Sequence, residues 1–236
     1  MTSFHHKKVL ITSGPTREAL DPVRYISNHS SGKMGYAIAQ QFLEQGSEVI
    51  LISGPVAIGL SHPRLKIVKV NSANEMYLAC CRFFEETDIA VFAAAVADYR
   101  PEKIAEHKIK KDESAFTINM VRNIDIAFEF GKTKTGQQLS IGFALETNDE
   151  LAHAIGKLKK KNFDMVILNS MNDANATFGY DTNKINIIKR DGEMKEFPLK
   201  QKSEVAKDIV YEISSFVLAN GEKLADCVDH NSFTIS

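Results

Sequence analysis

The segment Ile89 to Ala95 runs on from Asp88 without one polar side chain. A continuous apolar run of that kind suits a strand buried on both faces, and such strands belong to parallel sheets covered by helices on each side. The rest of the chain supplies the partners. Val9 to Thr12 reads as a short buried strand that stops at Ser13-Gly14-Pro15. After a long polar loop, Gly32 to Gln45 reads as a helix, with Met34, Ala37, Ile38 and Phe42 near helical spacing and Gly46 placed to end it. Val49 to Ile52 and Leu65 to Val70 read as strands, and Ser72-Ala73-Asn74-Glu75 has capping-box form, predicting a helix to about Glu86. Leu139 to Phe143 (strand), Asp149 to Lys161 (helix) and Met165 to Leu168 (strand) continue the alternation. Ile185, Ile187, Met194 and Phe197 flank the hairpin signal Asp191-Gly192, and Ser203 to Leu218 is an amphipathic helix. The pattern predicts an α/β fold: a doubly wound, mostly parallel, Rossmann-like sheet with a C-terminal β-hairpin plus helix.

Composition excludes several classes. The chain has 236 residues, between one and two domains by length. With 29 Lys+Arg against 30 Asp+Glu the formal net charge is −1, which excludes binding nucleic acid or an anionic membrane by bulk charge. No apolar run approaches the ~18 residues needed to span a bilayer. Val9-Leu10-Ile11 is too short for a signal-peptide core. Cys80 and Cys81 are neighbours, Cys227 stands apart, and no C-x-x-C exists, so the expectation is a reduced, cytoplasmic protein without a thiolate metal site. Residues 97–122 are polar, lysine-rich and too long for an ordinary connection, which reads as a functional flap. The tail, about 220–236, lacks a clear period and is expected to be loosely attached.

In a doubly wound sheet, ligands bind beyond the carboxyl ends of the strands. That puts Ser13-Gly14-Pro15, Ser53-Gly54-Pro55, Ala93 to Asp98 and Phe143 to Thr147 around one crevice. Ser30-Ser31-Gly32-Lys33-Met34-Gly35, just before a helix, offers backbone N–H groups at its positive end and suits phosphate. It is neither G-x-G-x-x-G nor a Walker A loop, and an N-cap with a glycine for close packing explains it equally well. Ala93 to Ala97 are small and fit plain packing, whereas Asp98 stands at the mouth of the crevice, a position that favours function. Lys108-Ile109-Lys110-Lys111 fits either a solvated edge or a flap closing over a polyphosphate. Lys157, Lys159, Lys160 and Lys161 suit a helix C-terminus; Lys157 and Lys161 also share one face that a nucleotide can use. No G-x-S-x-G elbow and no H-E-x-x-H motif is present.

Ile11-Thr12-Ser13-Gly14-Pro15-Thr16-Arg17-Glu18, the run from Asp21 to Gly35, Ala94-Ala95-Val96-Ala97-Asp98-Tyr99-Arg100, Lys108 to Lys111 and Gly142-Phe143-Ala144-Leu145-Glu146-Thr147-Asn148 closely resemble bacterial phosphopantothenate–cysteine ligase, the synthetase half of the coenzyme A biosynthesis protein. The likeness runs in order from about residue 8 to about residue 215. It implies one ligase domain over 1–236, in which 4′-phosphopantothenate and CTP give an acyl-cytidylate and pyrophosphate, with Mg2+ assisting. L-Cysteine then displaces CMP. Positioning and charge neutralisation carry such a reaction, so no enzyme nucleophile is needed.

The resemblance also assigns residues. It gives Asn28 the acyl-cytidylate and Lys108, on the flap, the cysteine-dependent step. Ser30, Gly32 and Gly35 fall to the triphosphate turn, and Gly14, Ala94 and Asp98 to the substrate and nucleotide site. Ile124, Asp125, Ile126, Ala127, Phe143, Lys157 and Lys161 match CTP contacts, with Asn169 a further candidate at a strand end. It implies a homodimer whose flap reaches the neighbouring site. The flavin-dependent decarboxylase half that often precedes this one is not seen before the first strand, so no FMN is expected on this chain. A separate decarboxylase partner is then an open possibility. Two rival readings stand beside the ligase: an NAD(P)-dependent reductase, which the missing G-x-G-x-x-G disfavours, and a nucleotide-binding module without turnover.

Overall fold

The computed structural model describes residues 4–110, 116–170 and 179–229, the last eleven by backbone alone. Lys111 and the tail beyond residue 229, both named above, lie outside the described residues. In chain order the elements are β1 (Lys8–Ser13), β2 (Arg17–Ala19), β3 (Tyr25–Ser27), α1 (Lys33–Glu44), β4 (Glu48–Ser53), β5 (Leu65–Lys69), α2 (Ala73–Cys81), β6 (Ile89–Phe92), β7 (Tyr99–Pro101), β8 (Met120–Arg122), α3 (Ile126–Thr133), β9 (Leu139–Glu146), α4 (Glu150–Lys160), β10 (Met165–Ser170), β11 (Thr182–Lys189), β12 (Met194–Gln201) and α5 (Lys202–Asp229).

Eight strands form the main sheet in the order β12-β11-β10-β9-β6-β1-β4-β5. The run from β10 to β5 is parallel throughout, and β11 and β12 add an antiparallel hairpin at one edge. The predicted α/β sheet with its C-terminal hairpin and helix is therefore observed. The apolar run behaves as its composition requires: Ile89, Ala90, Val91 and Phe92 are all buried between β1 and β9. Alternate residues of β1 serve opposite faces. Val9 and Ile11 pack with α1 and α5, and Leu10 packs with α2, α3 and α4. Strand order reverses between β1 and β6, the point at which open α/β sheets bind ligands.

Four local features depart from the sequence reading. The polar stretch after β1 contains the hairpin β2–β3, turned by Asp21, whose carboxylate accepts the N–H groups of Val23 and Arg24 at 2.8 Å each. Strands of three residues are too short to show alternation. Residues 97–122 begin and end in another two-stranded ribbon, β7 with β8, which forms the stem of the expected flap. The helix expected to reach Glu86 stops at Cys81 and is followed by a short turn of 3-10 helix, Phe84–Glu86. Its capping box holds, since Ser72 Oγ accepts the Glu75 N–H at 3.2 Å and Glu75 accepts the Asn71 N–H at 2.9 Å. Finally, α5 continues to Asp229, past Asn220 where the sequence loses its period.

Candidate functional site

A cavity of about 420 Å³ opens over the carboxyl ends of β1, β6, β9 and β10. Its floor is built by β1 and β6 running on past their strand ends. Ala93 N–H donates to Thr12 O at 3.2 Å and Ala95 N–H to Gly14 O at 2.9 Å. Small side chains from Ala93 to Ala97 keep that floor low enough for a ligand to lie against backbone.

One wall is the start of α1. Gly32 is its N-cap at φ 76°, in left-handed geometry, and no side chain caps the helix. The first N–H groups of α1 are thus left to a ligand or water. Gly35 sits directly on Ser13: a Cβ there would stand 2.4 Å from Ser13 Oγ. Ser13 Oγ in turn donates to Gly32 O at 3.0 Å. Close packing and an open anion site, which the sequence leaves as alternatives, coexist in these glycines.

The opposite wall comes from α3 and α4. Asp125 caps α3 by accepting the Phe128 N–H at 3.2 Å, and Lys161 Nζ donates to the same carboxylate at 2.9 Å. Lys157, one turn earlier on α4, pairs with Glu146 at 2.6 Å. Phe143 and Phe163 fill the space between. Among the described residues, four lysines line the cavity (Lys33, Lys157, Lys161 and Lys202) against two carboxylates, Asp98 and Asp125, so the space suits a polyanion.

Asn28 reaches in from just beyond β3. Its Nδ2 donates to Ala95 O at 3.1 Å and to Val96 O at 3.2 Å, tying the loop to the floor. Asp98 and Asn123 join the flap stem to the rim, with Asn123 N–H donating to Asp98 O at 2.8 Å.

Of the residues singled out in the sequence, Asn28, Ser30, Gly32, Gly35, Ala94, Asp98, Ile124, Asp125, Ile126, Ala127, Phe143, Lys157, Lys161 and Asn169 all line this one cavity. Gly14 lies just behind it, its Cα in contact range of Gly32. Lys108 does not line it. The sequence reading missed Lys33, Asn123, Asn183 and Lys202 as lining residues. Lys33 sits within the quoted glycine segment, whereas Asn183 and Lys202 carry no local signal.

Among the described residues, no group of three or more His, Cys, Asp and Glu side chains is placed to hold a metal. Asp98, exposed at the mouth, is a carboxylate placed to share a hydrated divalent cation with a bound anion. Nor, among the described residues, is any helix long and apolar enough to cross a membrane.

Comparison with known proteins gives a consistent picture. The profile of the DNA/pantothenate metabolism flavoprotein C-terminal domain matches residues 4–217. The coenzyme A biosynthesis bifunctional protein CoaBC of Bacillus subtilis (strain 168) is 41% identical over 217 residues, which span 92% of this chain and 53% of that protein. A cysteine/cysteine sulfinic acid decarboxylase from an unknown prokaryotic organism is 47% identical over 211 residues, 89% of this chain and 59% of that protein. The chain thus spans little more than half the length of these curated relatives. A crystal structure of the C-terminal domain of the bifunctional protein CoaBC superposes with a TM-score of 0.78 at 38% identity, covering 92% of this chain and 100% of that one.

Proposed function

The chain belongs to the family of the DNA/pantothenate metabolism flavoprotein C-terminal domain, and from that premise we propose that it is a phosphopantothenate–cysteine ligase of coenzyme A biosynthesis. It joins 4′-phosphopantothenate to L-cysteine through an acyl-cytidylate formed with CTP. The observation that carries this reading is the cavity itself. It links the uncapped start of α1 to the Asp125–Lys161 wall across the alanine floor, and its volume lies within the usual ligand-site range of about 300–1,000 Å³.

The chemistry fits those parts. A carboxylate oxygen of phosphopantothenate attacks the α-phosphorus of CTP, the bond to the β-phosphate breaks, and pyrophosphate leaves. The amine of cysteine then attacks the acyl carbon, CMP leaves with the former carboxylate oxygen, and the amine proton passes to solvent. Both steps move negative charge, so fixed N–H groups and lysines do the catalytic work. The start of α1 and Ser30 hold phosphate oxygens. Asn28 lies beside the reacting carboxylate as a neutral amide, which neither repels the acyl phosphate nor attacks it. Lys157 and Lys161, held by Glu146 and Asp125, face the base and ribose side. Asp98 would be the residue that holds a magnesium ion, which would supply neutralisation of phosphate charge.

We further propose that the protein works as a homodimer with Lys108 serving the neighbouring site. Lys108 lies outside the cavity of its own chain. The two small hairpins expose apolar side chains, with Val23 60%, Ile104 61% and Phe116 59% accessible, as an unpaired interface would. The relative named a decarboxylase has a large part of its length outside the match, so its printed activity attaches to this domain no more than to the rest.

The test is a four-way single-turnover assay with phosphopantothenate: CTP or ATP, each with and without cysteine. The ligase reading expects pyrophosphate from CTP in both tubes and phosphopantothenoylcysteine only with cysteine. Binding of CTP with no pyrophosphate in any tube would leave a non-catalytic module, and reduction of a substrate by NAD(P)H would favour a reductase.

A further inference from the structure

The scheme so far gives the amine of the second substrate no seat. The carboxyl end of β10 and the adjoining part of β11 offer one. β10 alternates as β1 does: Met165 and Ile167 pack toward α1 and α5, while Val166 and Leu168 pack toward α4. Asn169, the next residue, returns to the α1 side. Asn183 on neighbouring β11 faces the same way, since its Nδ2 lies 3.9 Å from Met34 Sδ on α1. Both asparagines line the cavity.

Each carries a buried acceptor with nothing to accept. Asn183 is only 1% exposed, and neither its Oδ1 nor Asn169 Oδ1 has a hydrogen-bond partner among the described residues. Such atoms are costly unless something completes them. Turning the Asn183 amide end for end is no remedy. Its NH2 group rests on a thioether sulfur, a weak acceptor, and reversal would set oxygen lone pairs against that sulfur. Asn186 Oδ1 is also unpartnered, but Asn186 pairs with Leu168, on the α4 side, and does not line the cavity.

What this pair lacks is a hydrogen-bond donor, so an anion cannot fill it. The surrounding charge narrows the choice. Lys33 and Lys202 line the same end, Lys33 paired with Asp181 and Lys202 Nζ donating to Tyr180 O at 2.5 Å. Beside two cations a permanently charged cation is disfavoured, and a donor able to shed its proton is favoured. An amine is such a donor. Amide oxygens accept N–H from ammonium or amine alike, whereas a carboxylate there would fix the ammonium. The lone pair that a nucleophilic amine needs is therefore not locked away.

We propose that Asn169 and Asn183 form the acceptor pair that seats the amine of L-cysteine for its attack on the acyl-cytidylate. This rests on the ligase reading of the cavity. In that step the amine nitrogen bonds to the acyl carbon, and the bond from that carbon to the phosphate oxygen breaks with its electron pair staying on CMP. The proton released from nitrogen passes to solvent. The two amides act before bond formation, by orienting N–H bonds and leaving the lone pair turned away from them.

The test removes the amine from the ligand and the acceptor from the protein. Wild type, Asn169→Leu, Asn183→Leu and Asn169→Asp are titrated calorimetrically with L-cysteine and with 3-mercaptopropionate, which is cysteine without its amine. CMP and 4′-phosphopantothenate are present to fill the neighbouring space, and CTP is titrated separately. Circular dichroism and thermal melting check the fold; if Asn183→Leu does not fold, the partly exposed Asn169 carries the test. The seat predicts that wild type prefers L-cysteine about fivefold or more. The preference should shrink to within about twofold in each Leu variant and persist in Asn169→Asp, which keeps an acceptor. Equal preference in wild type and the Leu variants overturns the proposal and leaves the two oxygens to buried water. No preference in wild type, or no binding of L-cysteine, overturns it too. Loss of CTP affinity with the cysteine preference intact gives the amides to the nucleotide instead. Because the readout is binding, the seat can fail while wild type still ligates, and can stand if ligation is absent.

Discussion

The carboxylate of Asp21 accepts the backbone N–H of Ile109 at 3.1 Å. Arg24, paired with Asp21, completes the clamp by donating Nη2 to Ile109 O at 2.8 Å. Both backbone polar groups of Ile109 are thus gripped by the β2–β3 hairpin, one residue after Lys108. The Asp21 carboxyl is held well below the usual carboxylate range, chiefly by its hydrogen bond to Arg24 and against the opposing effect of burial. The segment at Ile109, the base of the expected flap, is thereby tied to the β2–β3 hairpin.

Asp21→Asn is expected to release that base. The amide of Ile109 should exchange with solvent at least about tenfold faster by hydrogen exchange, while CTP affinity holds and the cysteine-dependent step slows. The wild-type clamp has a defined pH response. A depressed folded pKa means its stabilisation is full above the unfolded value of about 4 and is lost as pH falls through the lower folded value. Protection of Ile109 that disappears well above pH 4 would assign the clamp to another group.

Gly35→Ala tests the seat of α1. The added Cβ would stand 2.6 Å from Ser13 Cβ, so the first turn of α1 must lift from β1. A cost of about 1–3 kcal/mol in stability and a roughly tenfold loss in CTP affinity are expected, read by thermal melting and titration. Gly59→Ala, whose Cβ meets nothing within 4 Å, should change neither.

Asn28→Asp and Lys108→Gln test the shared site. The first sets a carboxylate against Ala95 O and Val96 O, which the native amide bonds, and should lower ligation about a hundredfold or more while CTP still binds. Lys108→Gln should slow product formation more than pyrophosphate release. If the flap serves the neighbour, mixing the two inactive variants under subunit exchange restores about a quarter of wild-type sites, because half of random dimers pair one of each. Mixing without recovery would place Lys108 in its own chain's site.

Asp164→Ala tests the support beneath the site. Asp164 binds Lys134 at 2.6 Å and the Ser140 N–H at 2.8 Å, with the Lys134 side chain only 5% exposed. Removing one partner of such a pair strands the other charge, which should cost about 3–5 kcal/mol in chemical denaturation. A change within about 0.5 kcal/mol would mean that water reaches Lys134.

The sheet was legible because its signals are local. Ile89 to Phe92 has no polar residue to misread, and Gly32 and Gly35 mark where α1 meets β1. The two small hairpins were hidden because three residues cannot display a period. α3 was hidden because its N-cap, Asp125, lies in a segment otherwise recognisable only by family likeness. The site was legible where one stretch of chain supplies several lining residues, as at 28–35 and 93–98. Lys202 and Asn183 escaped because only the sheet order brings the edge hairpin and α5 beside α1. Lys108 was recognised by motif, yet its place relative to the cavity depends on how the β7–β8 ribbon projects.

The most direct measurement follows one oxygen atom. Phosphopantothenate carrying heavy oxygen in its carboxylate is turned over with CTP and cysteine, and the products are weighed by mass spectrometry. An acyl-cytidylate route transfers one labelled oxygen to CMP and leaves pyrophosphate unlabelled. Label in pyrophosphate or inorganic phosphate, or CMP without label alongside a ligated product, would contradict the account.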